Sequence, residues 1–207
     1  MFTRTIALGA AVACLVAGGI ATAAVRTTPV RTTPARTTDT WPGRLVDPSP
    51  GLVRPRALTV DRSLGERRAA LEVRLAQRLY TFWNTGDRTY LRAAISPHFK
   101  DNTLPAGRPQ GPAGPVFASK RFRTAVPDLT CELSDVLITG DKITARLVFR
   151  GHFTGTLDGV RGRGQKIGFN ALDIQHVGTD RITEDWHIED NGTLSRQMNN
   201  GGVNKGG

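Results

Sequence analysis

Asp173 and His187 are the residues of this chain best suited to moving a proton. They sit in two runs of alternating residues, Ile167 to Val177 and Ile182 to Glu189, joined by the tight-turn signal Gly178-Thr179-Asp180. With Asp180 at the centre of the turn, Asp173 and His187 stand equidistant from it and face each other on one side of a hairpin. That side would also carry Phe169, Ala171 and Gln175 on the first strand and Thr183 and Asp185 on the second. The other side would carry Leu172, Ile174, Ile182, Trp186 and Ile188. A carboxylate that orients an imidazole raises its basicity, and the imidazole then shuttles a proton near neutral pH. A two-residue turn would slip the register by one and separate the pair. The plainer alternatives are a hydrogen-bonded structural pair or a solvent-facing histidine.

Other candidates are weaker. Strict alternation over Lys142 to Phe153 puts Ala145, Leu147, Phe149 and Phe153 on one face and His152 with Arg146 and Arg150 on the other; a bulge at Gly151 would turn His152 inward. Trp83 ends an apolar helix, where it either shapes a pocket or packs in the core. His98 lies in a Pro-containing loop, an ordinary place for a surface histidine. Cys131 alternates with Leu129 and Leu133 and reads as a small core hydrophobe. The glycines at 159, 162 and 164 join two strands and lack the strand–loop–helix context of a phosphate loop. No zinc-type cysteine or histidine cluster is present in the sequence.

Several elements must position these groups. Ser63 and Glu66 have capping-box spacing, and Leu71, Leu75, Leu79 and Phe82 then recur on one helical stripe. Gly86 should end that helix, and Asp87 should cap a short one carrying Leu91 and Ile95. A third helix is expected from about Pro112 to Thr124, stopped by Pro127. From Leu129 the period becomes two, with a bulge expected at Ser134 and Asp135. Helices followed by a meander of antiparallel strands is an α+β pattern.

Five segments appear in order: Phe82-Trp83-Asn84-Thr85-Gly86-Asp87, Ala125-Val126-Pro127-Asp128-Leu129, Gly140-Asp141-Lys142-Ile143, Gly151-His152-Phe153-Thr154-Gly155, and Arg181 to Met198 with its Glu184, Trp186 and Asp190. Together, over about Leu71 to Met198, they resemble the SnoaL-like polyketide cyclase (ester cyclase) family of the NTF2-like superfamily. The resemblance implies a cone-shaped α+β barrel, its helices packed on a curved antiparallel sheet around a pocket for a small apolar molecule. It also implies chemistry without a cofactor: aldol-type cyclisation, isomerisation or dehydration by acid and base. His187 falls at the family's catalytic Asp and Asp173 at one of its histidines, so the two residue types are exchanged here. With His187 and Asp173 as the catalytic pair, the resemblance adds Trp83, His98, His152, Phe169, Gln175 and Asp185 as pocket residues. The fold also hosts non-catalytic ligand-binding or surface modules, which is the alternative function.

The flanks suggest export. Arg4, the apolar run Ile6 to Ile20 and Ala21-Thr22-Ala23 read as a secretory signal over residues 1–23, cleaved near Ala24; a retained anchor or a lipoprotein centred on Cys14 are the lesser readings. The repeated Arg-Thr-Thr of residues 26–38 and the Pro-rich stretch after it read as a disordered linker over 24–62, ahead of a domain at 63–198 and a flexible tail at 199–207. A net charge of +10 without aromatic interleaving argues against nucleic acid. The partners expected are the small apolar ligand, an anionic cell surface for the basic extension, and a second copy through the sheet.

Overall fold

The computed structural model describes residues 41–200. The expected signal, Cys14, the Arg-Thr-Thr repeat and the tail beyond Asn200 lie outside the described residues.

The main helix, α1 (Glu66–Thr85), is capped at its end as expected: Gly86 adopts φ 78° and its N–H donates to Phe82 O at 2.7 Å. Its start differs. Gly65 is the N-cap, and Ser63 instead donates its N–H to Asp61 Oδ1, so the Ser63–Glu66 spacing marks an aspartate turn and not a capping box. Asp87 caps α2 (Arg88–Ala94) by accepting the Thr89 N–H at 2.8 Å. Ile95 does not continue that helix. It opens strand β2 (Ile95–Asp101), which sequence periodicity missed because Pro97 and an irregular register interrupt the alternation. Helix α3 spans Ala113–Ala125.

The strands β3 (Thr130–Thr139), β4 (Lys142–Phe153), β7 (Gln165–Val177) and β8 (Ile182–Glu189) form the expected antiparallel meander, with a small hairpin of β5 (Thr156–Leu157) and β6 (Val160–Arg161) between β4 and β7. The register slips between Leu133 and Asp135, where the bulge was expected. With β1 (Ala57–Val60) at one edge, the six-stranded sheet runs β1-β3-β4-β7-β8-β2 and is mixed, since both edge strands lie parallel to their neighbours.

Strand β1 (Ala57–Val60) corrects the expected domain boundary. Residues 41–62 are part of the domain: Leu45 and Val60 are buried, and β1 pairs with β3 from Asp135 to Ile138. The buried Gln77 amide accepts the Asp47 N–H and donates to Asp47 O and Val53 O. Two polar residues of α1 thus hold the incoming chain, Gln77 and Thr81, whose Oγ1 accepts the Val53 N–H at 3.0 Å; such non-local contacts are not revealed by a low apolar content. A final helix, α4 (Asn191–Asn199), is capped by Asp190 and buries Leu194 and Met198.

The core lies between α1 and the concave face of the sheet. Ile143, Ala145, Leu147, Phe149 and Phe153 point inward from β4, and Ile167, Phe169 and Ala171 from β7. At Gly151 the inward position has no room. A Cβ there would stand 2.4 Å from Val126 Cγ1 and 2.9 Å from Asp128 Oδ1, so only glycine lets β4 pass the end of α3.

Candidate functional site

The concave face does not fill. A cavity of about 510 Å³ remains between α1, α3, the β2–α3 loop and the sheet, walled by Trp83, Phe99, Phe122, Phe149, Phe169 and Leu147 among others. The rings are in mutual contact: Phe149 stacks on Phe169 at 5.2 Å, Trp83 meets Phe149 edge-on at 6.0 Å, and Phe122 lies 5.6 Å from Phe169.

One wall is polar. Asp173 pairs with His187 and Gln175 with Asp185 across β7 and β8, the register read from the symmetry about Asp180. Asp173, Asp185, His187 and Glu189 all border the cavity. A bulge near the turn changes the remainder of that face: Thr183 turns toward His176, whose Nδ1 lies 2.9 Å from its Oγ1, and Ile182, expected on the outside, is fully buried.

Sharing a face is not sharing a hydrogen bond. His187 is held by Glu189, Nδ1 to Oε1 at 2.8 Å, and by Asp101, Nε2 to Oδ2 at 3.1 Å, not by Asp173. Its backbone N–H donates to Thr103 Oγ1 at 2.9 Å. Arg108, from the loop over the cavity, stands 3.7 Å from Asp101 Oδ2. Burial alone would lower the imidazole pKa, but the hydrogen bonds and charges of Glu189, Asp101 and Asp185 raise it to about 9. His187 is therefore an imidazolium at neutral pH, with both ring N–H groups donating. Glu189 stays below the usual carboxylate range, because the His187 hydrogen bond and charge outweigh its burial.

Asp173 has a different environment. Tyr80, fully buried on α1, donates its hydroxyl to Asp173 Oδ2 at 2.9 Å and accepts from Gln175 Nε2 at 2.5 Å. Burial raises the Asp173 carboxyl to about 7, a rise that the Tyr80 hydrogen bond and the His187 charge only moderate. Asp185 is pushed well above the carboxylate range, first by burial and then by the Asp173 charge. Its Oδ1 has no partner within the protein. The wall thus presents a carboxyl poised near neutrality, a second whose proton affinity burial raises well above the usual, and an imidazolium: parts for taking a proton, giving one, and stabilising negative charge on oxygen.

The sequence-derived pocket set divides cleanly. Trp83, Phe169 and Asp185 line the cavity, and Gln175 sits behind it on Tyr80. His98 is exposed on β2, and Phe99 and Asp101 take the inward positions instead. His152 is half exposed on the arginine side, with Nδ1 2.6 Å from Asp128 Oδ2. Alternation was the sounder guide there, since β4 keeps its phase through Gly151. Sequence reasoning missed Asp101, Arg108, Tyr80 and Glu189. Glu189 carried a usable signal, being two residues from His187 on the same strand face. Cys131 is buried and its thiol pushed well up by burial, as a core residue's should be; its N–H donates to Asn84 Oδ1.

Comparison with known proteins agrees with this architecture. The family model described as SnoaL-like polyketide cyclase matches residues 73–198. A solved structure from Bacillus cereus ATCC 10987, proposed to be a polyketide cyclase, is 44% identical, with a TM-score of 0.67 over 74% of this chain and 97% of that one. IdmH from Streptomyces antibioticus, also proposed to be a polyketide cyclase, is 29% identical, with a TM-score of 0.55 over 60% of this chain and 95% of its own. TsrD from Streptomyces laurentii, 24% identical with a TM-score of 0.58 over 67% of this chain and 97% of its own, shares the fold. No curated protein matches the chain. With the family model spanning most of the described domain and the cavity built on the same helices and sheet, the chain belongs to the SnoaL-like polyketide cyclase family.

Proposed function

We propose that the cavity catalyses acid–base carbon chemistry on a small, largely apolar carbonyl compound, of the aldol-cyclisation or isomerisation type. The observation that carries this is the polar wall: two buried carboxyls, both with raised proton affinities, beside an imidazolium and within aromatic walls. Asp173 takes a proton from the carbon next to a carbonyl. The electron pair of that C–H bond moves to form the enol, and the carbonyl oxygen takes the proton or hydrogen bond of Asp185. In cyclisation the enol carbon then bonds a second carbonyl carbon of the same molecule; that carbonyl's oxygen takes the proton Asp173 holds, the first carbonyl re-forms as the enol O–H returns its proton to Asp185, and both carboxyls are back in their starting states. His187 and Arg108 supply positive charge to the developing oxyanion.

The test needs no knowledge of the natural substrate. Exchange of the α-hydrogens of a benzylic ketone such as 2-tetralone for deuterium, followed by NMR, should exceed the buffer rate. It should be bell-shaped in pH, rising as Asp173 ionises near 7 and falling as His187 loses its proton near 9. Saturable ketone binding without exchange would leave the non-catalytic binding module as the function. One observation favours that second reading: both ring nitrogens of His187 are already engaged.

Export belongs to the same proposal. The apolar run Ile6 to Ile20 followed by Ala21-Thr22-Ala23 supports a protein cleaved near Ala24 and working outside the cytoplasm.

A further inference from the structure

A second cavity of about 400 Å³ lies on the other side of α3, between it and the end of α1, and shares no lining residue with the first. Its lining includes Arg88, Lys120 and Arg123 and no carboxylate. Among the described residues none of these three cations forms an ion pair. The nearby carboxylate in sequence, Asp87, is turned to the Thr89 N–H.

Two polar groups here are buried and lack a partner. Ser119 is 2% exposed, lines the cavity, and its hydroxyl has no hydrogen bond within the protein. Arg123 donates Nη2–H to Trp83 O at 2.6 Å and Nη1–H to Leu129 O at 3.3 Å, which fixes the guanidinium, but its Nε–H is buried without an acceptor. Both groups converge on Gly86: a Cβ there would lie 3.2 Å from Arg123 Nε and 4.0 Å from Ser119 Oγ. Unmet buried donors are costly, and a water would leave three positive charges uncompensated. An oxyanion meets both needs, since it accepts from several donors at once and carries the opposite charge.

We infer that the cavity between the end of α1 and α3 binds a phosphate-type oxyanion through Ser119, Arg123, Lys120 and Arg88. Phe82 and Val116 on the same walls leave room for an apolar body attached to the anion. The shared chemistry is the phosphate group; free phosphate and an organic phosphate are its two sources.

Calorimetric titration of the full chain tests this at constant ionic strength set with sodium chloride. The probes are inorganic phosphate and phenyl phosphate. A saturable single site is expected for at least one, and tighter phenyl phosphate binding would identify an organic phosphate as the natural source. Lys120→Ala and Arg88→Ala, both at exposed positions, should each weaken binding about tenfold, the loss typical of one charge-assisted contact. Ser119→Ala should weaken it several-fold while leaving the fold intact. Lys166→Ala removes the same charge from a distant exposed site on β7 and should change nothing. The inference is overturned if neither probe saturates, or if Lys166→Ala and Lys120→Ala behave alike. The ketone-exchange rate reports separately on the first cavity, so failure here leaves that reading untouched.

Discussion

The two faces of the β7–β8 hairpin invert the usual arrangement. The inner face buries Asp173 at 6% exposure and Gln175 at 0%, while the outer face leaves Leu172 at 52% and Ile188 at 73%. Ile174, Trp186 and, on β3, Leu137 extend the apolar surface outward. Both faces alternate with the same period, so hydrophobic patterning alone does not identify the interior. Stability by itself would favour exchanging the two sets. The inner polar groups persist because Tyr80, Glu189 and Asp101 satisfy most of them; of the two atoms left without a partner on this wall, Asp185 Oδ1 belongs to a residue that lines the cavity and Gln175 Oε1 to one that sits behind it.

The largest effect should follow from removing the inner base. Asp173→Asn keeps the shape and the Tyr80 contact but cannot take a proton, so α-hydrogen exchange should fall about 10²- to 10⁴-fold. Adding His187→Ala to it should cost little more, since residues acting as a unit are non-additive. An additive double change would separate the two residues into independent roles.

Stability should respond next. Asp173 titrates near 7 in the folded chain and near 3.8 when free, so the folded state holds an extra proton between those values. Its stabilising contribution is complete below about 4 and is lost as pH rises toward 7. Asp185 contributes with the same sign. Urea midpoints from pH 4 to 7 should therefore decline for the native chain and decline less for Asp173→Asn. Equal slopes would mean that Asp173 is not the buried acid described. His187 adds stability that is present below about 6.5 and lost toward 9.

Tyr80→Phe should cost about 1–3 kcal/mol in chemical denaturation, because it leaves the Gln175 amide and Asp173 Oδ2 without their shared partner. A neutral result would show that water replaces the hydroxyl.

The smallest change in folding stability belongs to the outer face. We propose that a second copy covers it. The apolar centre of the face is flanked by charges of both signs in the Arg146–Asp135 and His176–Asp141 pairs, a distribution that an isologous two-fold contact can use. Ile188→Thr should alter monomer stability by less than about 0.5 kcal/mol yet shift sedimentation from dimer to monomer. A native chain that sediments as a monomer at all concentrations would remove the pairing.

Local chemistry made much of this legible in the sequence. Gly86, Asp87, the bulge near Ser134 and the register about Asp180 all follow from residue types acting within a few positions. What was missed depends on pairing over long distances. Asp101 reaches His187 from a parallel edge strand 86 residues away, and neither residue carries a trace of the other. β1 and the contacts of Gln77 and Thr81 show the same limitation: a four-residue strand, one buried amide and one buried hydroxyl tie 41–62 to the domain. His152 is the opposite case: its motif resembles a pocket segment, while the unbroken strand phase through Gly151 keeps it on the arginine side.

The short, interrupted edge strands also bear on how the protein fails. β1 offers only four residues, with Pro55 just before it, and β2 carries Pro97 and a break in register between Ile95 and Lys100. Neither edge presents the continuous row of free backbone donors and acceptors that templates strand addition. A concentrated or partly heated sample should thus resist growing into cross-β fibrils from its sheet edges, even though its sheet face is greasy.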